Sequence, residues 1–223
     1  MNKIWMRLPL LLVLVSSPIL AEDFKRFEFQ PLAGFSVSGS IPLLNENNEH
    51  VGSIHVNSSY HVGANFAVNL NAEDALEVHW QRQFTEGRLP ENMVAPFSSA
   101  EVLSFKLKVD QYHLNFVHHY EIADPKARPY VMAALGATTF YGDRDGYTNS
   151  QSRFSFAIGG GMKYYFTSYF GLRGEARWSP TLLLAEDSKF WCSIGGSGAN
   201  CRINLKTSFQ HQLDLTGGVV FRF

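Results

Sequence analysis

The sequence predicts an all-β chain: an eight-stranded antiparallel up-and-down β-barrel that crosses a membrane. Three observations carry that expectation. Apolar residues recur at every second position in seven separate stretches, the period of a strand with one face in an apolar medium, and an eighth stretch is apolar on both faces. The connections between those stretches alternate strictly short and long, the asymmetry of a transmembrane barrel. The last stretch keeps its period of two over Phe209, His211, Leu213, Leu215, Gly217, Val219, Phe221 and Phe223. That is far longer than the usual strand of about five or six residues.

The chain opens with "MNKIWMRLPLLLVLVSSPILAED". Lys3 and Arg7 precede an apolar run from Leu8 to Leu20, and Ala21 stands before Glu22 and Asp23. This is the layout of a secretory signal peptide over residues 1–21, too short to span a bilayer as a helix. The small-residue rule is met only at Ala21, since Ile19 occupies the other position. Residues 22–223 are then one barrel domain, and losing Lys3 and Arg7 moves the formal charge from −1 to −3. With 17% charged residues and no basic excess, nothing points to nucleic acid.

The strands follow in order. "FEFQPLAGFSVSG" sets Phe27, Phe29, Ala33, Phe35 and Val37 against Glu28, Gln30, Gly34, Ser36 and Ser38. "SSYHVGANFAVNL" sets Tyr60, Val62, Ala64, Phe66, Val68 and Leu70 against His61, Gly63, Asn65, Ala67 and Asn69. "ALEVHWQRQF" sets Leu76, Val78, Trp80 and Phe84 against Glu77, His79, Gln81 and Gln83. In "LSFKLKVDQYHLNFVHHY" the apolar phase changes near Asp110, from Phe105, Leu107 and Val109 to Tyr112, Leu114 and Phe116. Such a slip predicts either a bulge or a passage out of the apolar layer. "RPYVMAALGATTFY" is apolar on both faces, so residues 129–141 have no readable orientation. "SRFSFAIGGGMKYYF" and "YFGLRGEARWSP" restore the alternation, with Lys163, Arg173, Glu175 and Arg177 on the polar face.

Short connections fall at 71–74, 122–129 and 167–169, and long ones at 41–52, 86–102, 142–151 and 183–206. The last long connection holds both cysteines, Cys192 and Cys201, around a Gly/Ser-rich bend. In an exported chain this spacing reads as a local disulfide. No further Cys or His stands beside them to complete a metal site.

Alternation suits a soluble barrel as well, with its apolar face turned inward. Three features favour the inside-out arrangement. The opposite face carries Glu77, Lys163, Arg173, Glu175, Arg177, Asp214 and Arg222, which suits a polar lumen. Aromatics stand near strand ends, among them Phe27, Tyr60, Phe84, Tyr120, Tyr130, Phe170, Trp178 and Phe223, as interfacial girdles do. The strands also reach the roughly nine to eleven residues that cross a bilayer at a tilt.

Several segments together resemble a known family. "SYHVGANFAVN", "LEVHWQRQFTE", "RPYVMAALGAT", "RFSFAIGGGMKYYFTSYFGLRGEARW", the cysteine-bracketed loop and the terminal "GGVVFRF" are similar to small outer-membrane β-barrels, the OmpA-like or porin-family group of Gram-negative bacteria. The similarity covers most of residues 26–223. It implies residence in the outer membrane, contact with its lipids, a monomer, and a C-terminal strand ending in Phe221 and Phe223 that the assembly machinery reads. It implies no cofactor and no defined activity.

Three function classes follow from these residues. A structural or surface-interaction barrel would act through its loops. A small-solute channel would need the lumen glycines Gly34, Gly63, Gly159, Gly161 and Gly218 to leave a continuous path. A lipid-modifying hydrolase would draw on His55, Ser58, His61, Glu77 and His79, and would need nucleophile, base and acid in contact. "DRDGYTN" carries Asp143, Asp145 and Asn149, but Gly146 comes too early for an EF-hand loop. His118 and His119 read as a solvated strand end. The polar face is expected to hold Arg173, Glu175 and Arg177 together, with Glu175 neutralising both cations, and Glu28 is expected to sit in a milder setting near the barrel entrance. The structural or surface reading, without catalysis, cofactor or metal, is the one the residues favour.

Overall fold

The computed structural model describes residues 25–44, 50–88, 104–144, 147–184, 190, 204–205 and 208–223. In chain order the strands are β1 (Phe27–Ser38), β2 (Ile41–Leu44), β3 (His50–Val56), β4 (Ser59–Asn69), β5 (Asp74–Arg88), β6 (Ser104–His119) and β7 (Ala127–Arg144). They continue as β8 (Tyr147–Tyr165), β9 (Phe170–Trp178), β10 (Thr181–Leu183), β11 (Asn204–Leu205), β12 (Ser208–Gln210) and β13 (Gln212–Arg222). Eight long strands form the wall: β1, β4 to β9, and β13. Each pairs antiparallel with its chain neighbour, and β13 closes onto β1 from Glu28↔Arg222 to Ser38↔Gln212. The short strands extend this wall at the long-loop end, where β2 pairs with β3 and β10 with β12.

The registers fix the barrel's dimensions. From Glu28 the pairing runs to Ala67, Glu77, Asn115, Ala134 and Ala157. It continues to Ser179, Gln212 and Ser38, returning to β1 ten residues above its start. Eight strands with that stagger tilt by about 40° and enclose a backbone cylinder of roughly 8 Å radius. An interior of this size is filled by side chains.

Burial decides which face is which. Along β9 the pattern alternates without a break, with Arg173, Glu175 and Arg177 buried and Leu172, Ala176 and Trp178 outside. Glu77 and Lys163 are 0% exposed, whereas Leu114, Leu135 and Leu215 are 55%, 64% and 54% exposed. A water-soluble barrel would invert this, because an unpaired apolar wall of that extent has no partner in water. The strand at 129–141, unreadable from sequence, turns Tyr130, Met132, Ala134, Thr138 and Phe140 inward and Val131 and Leu135 outward.

The phase change near Asp110 is not a bulge. β6 pairs without interruption from Ser104 to His118 with β5, and from Lys106 to His119 with β7. Phe105, Leu107 and Val109 are buried inside, and join Ile41, Ile54, Val56, Phe140, Leu183 and Phe190 in one apolar cluster. The facing of β6 is constant and its surroundings change: above Asp110 the barrel wall has an apolar interior, and below it an apolar exterior. The second strand makes the same transition by other means. Val56 pairs with Gly87 but His61 pairs with Gln83, so one extra residue enters at Asn57–Ser58. That bulge flips the facing, so Ile54 and Val56 point in while Tyr60 and Val62 point out.

Two other expectations change. The segment 142–151 is not a long loop, since β7 and β8 pair up to Arg144↔Tyr147. Residues 41–52 likewise supply β2 and part of β3. In both cases the strands run on past the apolar layer, where their alternation no longer looks like that of the wall below. Residues 1–24, Asp145, Cys192 and Cys201 lie outside the described residues.

Candidate functional site

Among the described residues, the lumen gathers most of the buried charged and polar side chains, and it is built in three layers. At the short-turn end is an ionic layer. Lys163 Nζ reaches Glu28 at 2.7 Å and Glu77 at 3.6 Å. Arg173 grips Glu77 through two nitrogens, at 2.5 and 3.1 Å, and also contacts Glu175. Arg177 Nε donates to Glu175 at 3.1 Å. Glu175 therefore lies between Arg173 and Arg177, and Arg173 is shared between two carboxylates. Neutral donors complete the shell: Asn115 Nδ2 reaches Glu77 at 3.1 Å, and the Tyr130 hydroxyl donates to Glu175 at 2.8 Å.

Glycines make this packing possible. Gly161 pairs with both Tyr130 and Glu175 across its two neighbouring strands. A β-carbon there would come within 2.7 Å of the Tyr130 hydroxyl. Its absence lets the phenol lie across the lumen, with the Arg173 guanidinium over the ring at 4.7 Å. Gly63, Gly34 and Gly218 likewise admit Gln81, His61 and Leu32. At each of these three positions a β-carbon would lie under 3 Å from the neighbouring strand.

Glu28 departs from expectation. It is buried, accepts hydrogen bonds from Lys163 and from the Tyr165 hydroxyl at 2.9 Å, and lies 3.4 Å from Arg222 Nε. The closed lumen turns the barrel entrance into interior, so Glu28 is as deeply committed as Glu175. Tyr130 departs too, as a lumen residue rather than an interfacial one. His119 is buried beside Tyr130, with Nδ1 at the Glu73 carbonyl, 3.0 Å away. His118 alone is partly solvated, and meets Asp74 at 2.8 Å.

The middle layer is polar and uncharged apart from Asp214. His79 and His113 stack at 6.2 Å. Polar atoms of Gln81, Gln111, His79 and His113 have no partner among the described residues. The hydrolase candidates separate here. His61 and His79 point inward, but His55 and Ser58 are exposed on the outer side. A different serine meets His61: Ser36 Oγ lies 2.8 Å from His61 Nδ1 and donates to Asp214 at 2.5 Å. Since the single hydroxyl proton goes to Asp214, the serine accepts from the His61 N–H. His61 Nε2 then accepts from Thr216, 3.0 Å away. In that order the imidazole is not placed to take the serine proton, as nucleophilic catalysis requires.

The third layer is the apolar cluster around Leu107 and Phe140, which roofs the polar ones. On the outer wall, Phe223 exchanges both backbone hydrogen bonds with Phe27 at 3.0 and 3.1 Å and stacks on its ring at 6.2 Å. Phe221 packs edge-on against Phe170 at 5.9 Å. Both terminal aromatics thus sit at the seam that closes the barrel. Asp143 and Asn149 are ladder residues, opposite Thr148 and Gly142.

An apolar belt around a closed, side-chain-filled eight-stranded barrel defines a membrane-spanning β-barrel of the outer-membrane type. The chain belongs to the outer membrane protein beta-barrel domain family, whose model matches residues 9–189, and this places it in an outer membrane. Solved structures agree on the fold. Neisserial surface protein A is 13% identical, with a TM-score of 0.58 over 88% of this chain and 97% of the other. OprG from Pseudomonas aeruginosa is 11% identical, with a TM-score of 0.57 over 87% and 96%. AlkL, determined in DMPC bilayers, is 12% identical, with a TM-score of 0.52 over 93% and 95%. No curated protein sequence matches the chain. In such barrels the short turns face the periplasm and the long loops face outward.

Proposed function

We propose that the chain is a structural or surface-interaction barrel that works through its extracellular end, without catalysis and without conducting solutes. The observation that carries this reading is the occupied lumen: Arg173 bridges Glu77 and Glu175 across the bore, and the Leu107–Phe140 cluster covers it from outside. Ions would have to displace paired charges and then cross an apolar layer. A small-solute channel is the alternative, favoured by the unpartnered polar atoms of Gln81, Gln111, His79 and His113, which suit a hydrated stretch of lumen. Planar-bilayer recordings separate the two. The wild-type barrel is expected to give no steady conductance, and opening the roof with Leu107→Ala and Phe140→Ala is expected to leave it closed at the ionic layer. Discrete wild-type channels would establish the alternative.

The terminal strand serves a second role in this proposal, as the segment read during membrane assembly. Deleting Phe223 is expected to slow insertion and leave protease-sensitive periplasmic protein. The folded barrel should lose little stability, since one stacked ring and one pair of edge hydrogen bonds are removed. Normal membrane levels of the deletion variant would argue against the assembly role.

A further inference from the structure

Outside the lumen, the outer wall changes character in one place where a pocket also forms. Going up the outward face of β6, Phe116, Leu114 and Tyr112 give way to Asp110, Lys108 and Lys106. Arg82 and Asp110 neutralise each other through two short contacts of 2.6 and 2.7 Å, with Tyr112 donating to the same carboxylate at 3.2 Å. The two lysines above them are exposed and make no ion pair among the described residues. Lys108 stands opposite Phe84, and Lys106 opposite Glu86.

The Asn57–Ser58 bulge lies beside them. Asn57 N–H bonds the Glu86 carbonyl at 3.0 Å, and Thr85 holds the Asn57 carbonyl at 2.5 Å. The bent strand leaves a concave pocket of about 390 Å³, lined by Asn57, Ser58, Phe84, Glu86, Lys106 and Lys108 among others. Phe84 gives it an aromatic side, and the Phe84 ring stacks on Tyr60 just outside the pocket at 5.6 Å. Lys106, Lys108 and Ser58 thus line a recess whose lower edge joins the apolar belt. Glu86 offsets one charge, and Arg88, exposed one pair higher, restores the excess.

We propose that this pocket holds the phosphorylated headgroup of an outer-leaflet glycolipid. The lysines and Ser58 would take the phosphate and sugar oxygens, and the acyl chains would run down over Phe84, Tyr60 and Trp80. A soluble anion would gain nothing from Phe84 and the apolar belt below it, and an uncharged lipid nothing from the lysines. The position, at the upper rim of the belt on the long-loop side, is where such headgroups lie.

The test places the intact barrel in phosphatidylcholine vesicles containing a minor fraction of a phosphorylated glucosamine-based lipid, or the same lipid without its phosphates. Lipid retained on the extracted barrel is read by native mass spectrometry. The wild type is expected to prefer the phosphorylated form. Lys106→Gln with Lys108→Gln should weaken that preference by about fivefold for each lysine. A control pair at the opposite rim, Lys25→Gln with Lys126→Gln, should keep it. Should the double variant fail to reach the heat-modifiable folded form, each single lysine variant should show about a fivefold loss. Inorganic phosphate is expected not to compete. An unchanged preference in the lysine variants, no preference in the wild type, or full competition by inorganic phosphate would each overturn the proposal.

Discussion

Replacing Glu77 by alanine is expected to produce the largest loss of stability of any single change in the lumen. Glu77 is wholly buried, and contacts Arg173, Lys163 and Asn115. Its removal leaves the Arg173 guanidinium with Glu175 as its one carboxylate, beside the neutral Gln30 oxygen, and takes one of two carboxylates from Lys163. Breaking a buried ion pair from one side costs about 3–5 kcal/mol in soluble proteins, because the remaining charge stays buried without compensation. The expected result is a marked fall in the urea midpoint of the reconstituted barrel. Glu121→Ala, in an exposed short turn, should leave that midpoint unchanged. A paired change, Glu77→Leu with Arg173→Met, should recover much of the loss, since it removes both charges and keeps volume. By the same reasoning Glu28→Ala and Glu175→Ala should both be costly. Small and equal effects across these variants would mean that water, not protein, solvates the ionic layer.

The second large effect is expected in the roof. Leu107→Asp places a carboxylate among Phe105, Val109, Phe140, Ile41 and Ile54, with no partner within that cluster. A buried charge without a partner costs several kcal/mol. The wall above the belt has no bilayer around it, so its apolar interior is what holds it together. Leu107→Asp should therefore make the extracellular extension sensitive to external protease, while heat-modifiable mobility, a property of the belt, is retained. Lys108→Asp, one residue away on the outer face, should leave protease resistance intact. Equal resistance of wild type and Leu107→Asp would show that the upper interior is already hydrated.

Much of this molecule was legible in the sequence because a barrel wall has only two sides. Once Leu76, Val78 and Trp80 face lipid, Glu77, His79 and Gln81 must face the lumen. The same logic placed Arg173, Glu175 and Arg177 on one side and Phe221 and Phe223 on the other. It could not say which charges meet. Arg173 touches Glu77, which is 96 positions away in sequence, only because the stagger of ten residues around the barrel brings β5 and β9 to the same height. Glu28 looked peripheral because it stands near a strand end, yet that same stagger sets it beside Lys163, and the Tyr165 ring system closes over it.

What the sequence determined by itself is therefore the period, the number of long strands and, in every strand but the one at 129–141, the sign of each face within the belt. These follow from side chains alternating across a backbone whose hydrogen bonds must all be met inside the bilayer. Only the tertiary structure decided where the belt ends. Along β6 the apolar parity changes at Asp110 while the facing stays fixed; along β3 and β4 the apolar parity stays fixed while the bulge at Asn57–Ser58 reverses the facing. Both segments meet the same demand, an apolar exterior in lipid and an apolar interior above it. Neither pattern alone reveals which solvent a strand is in, because alternation records a difference between two faces and not the identity of either one.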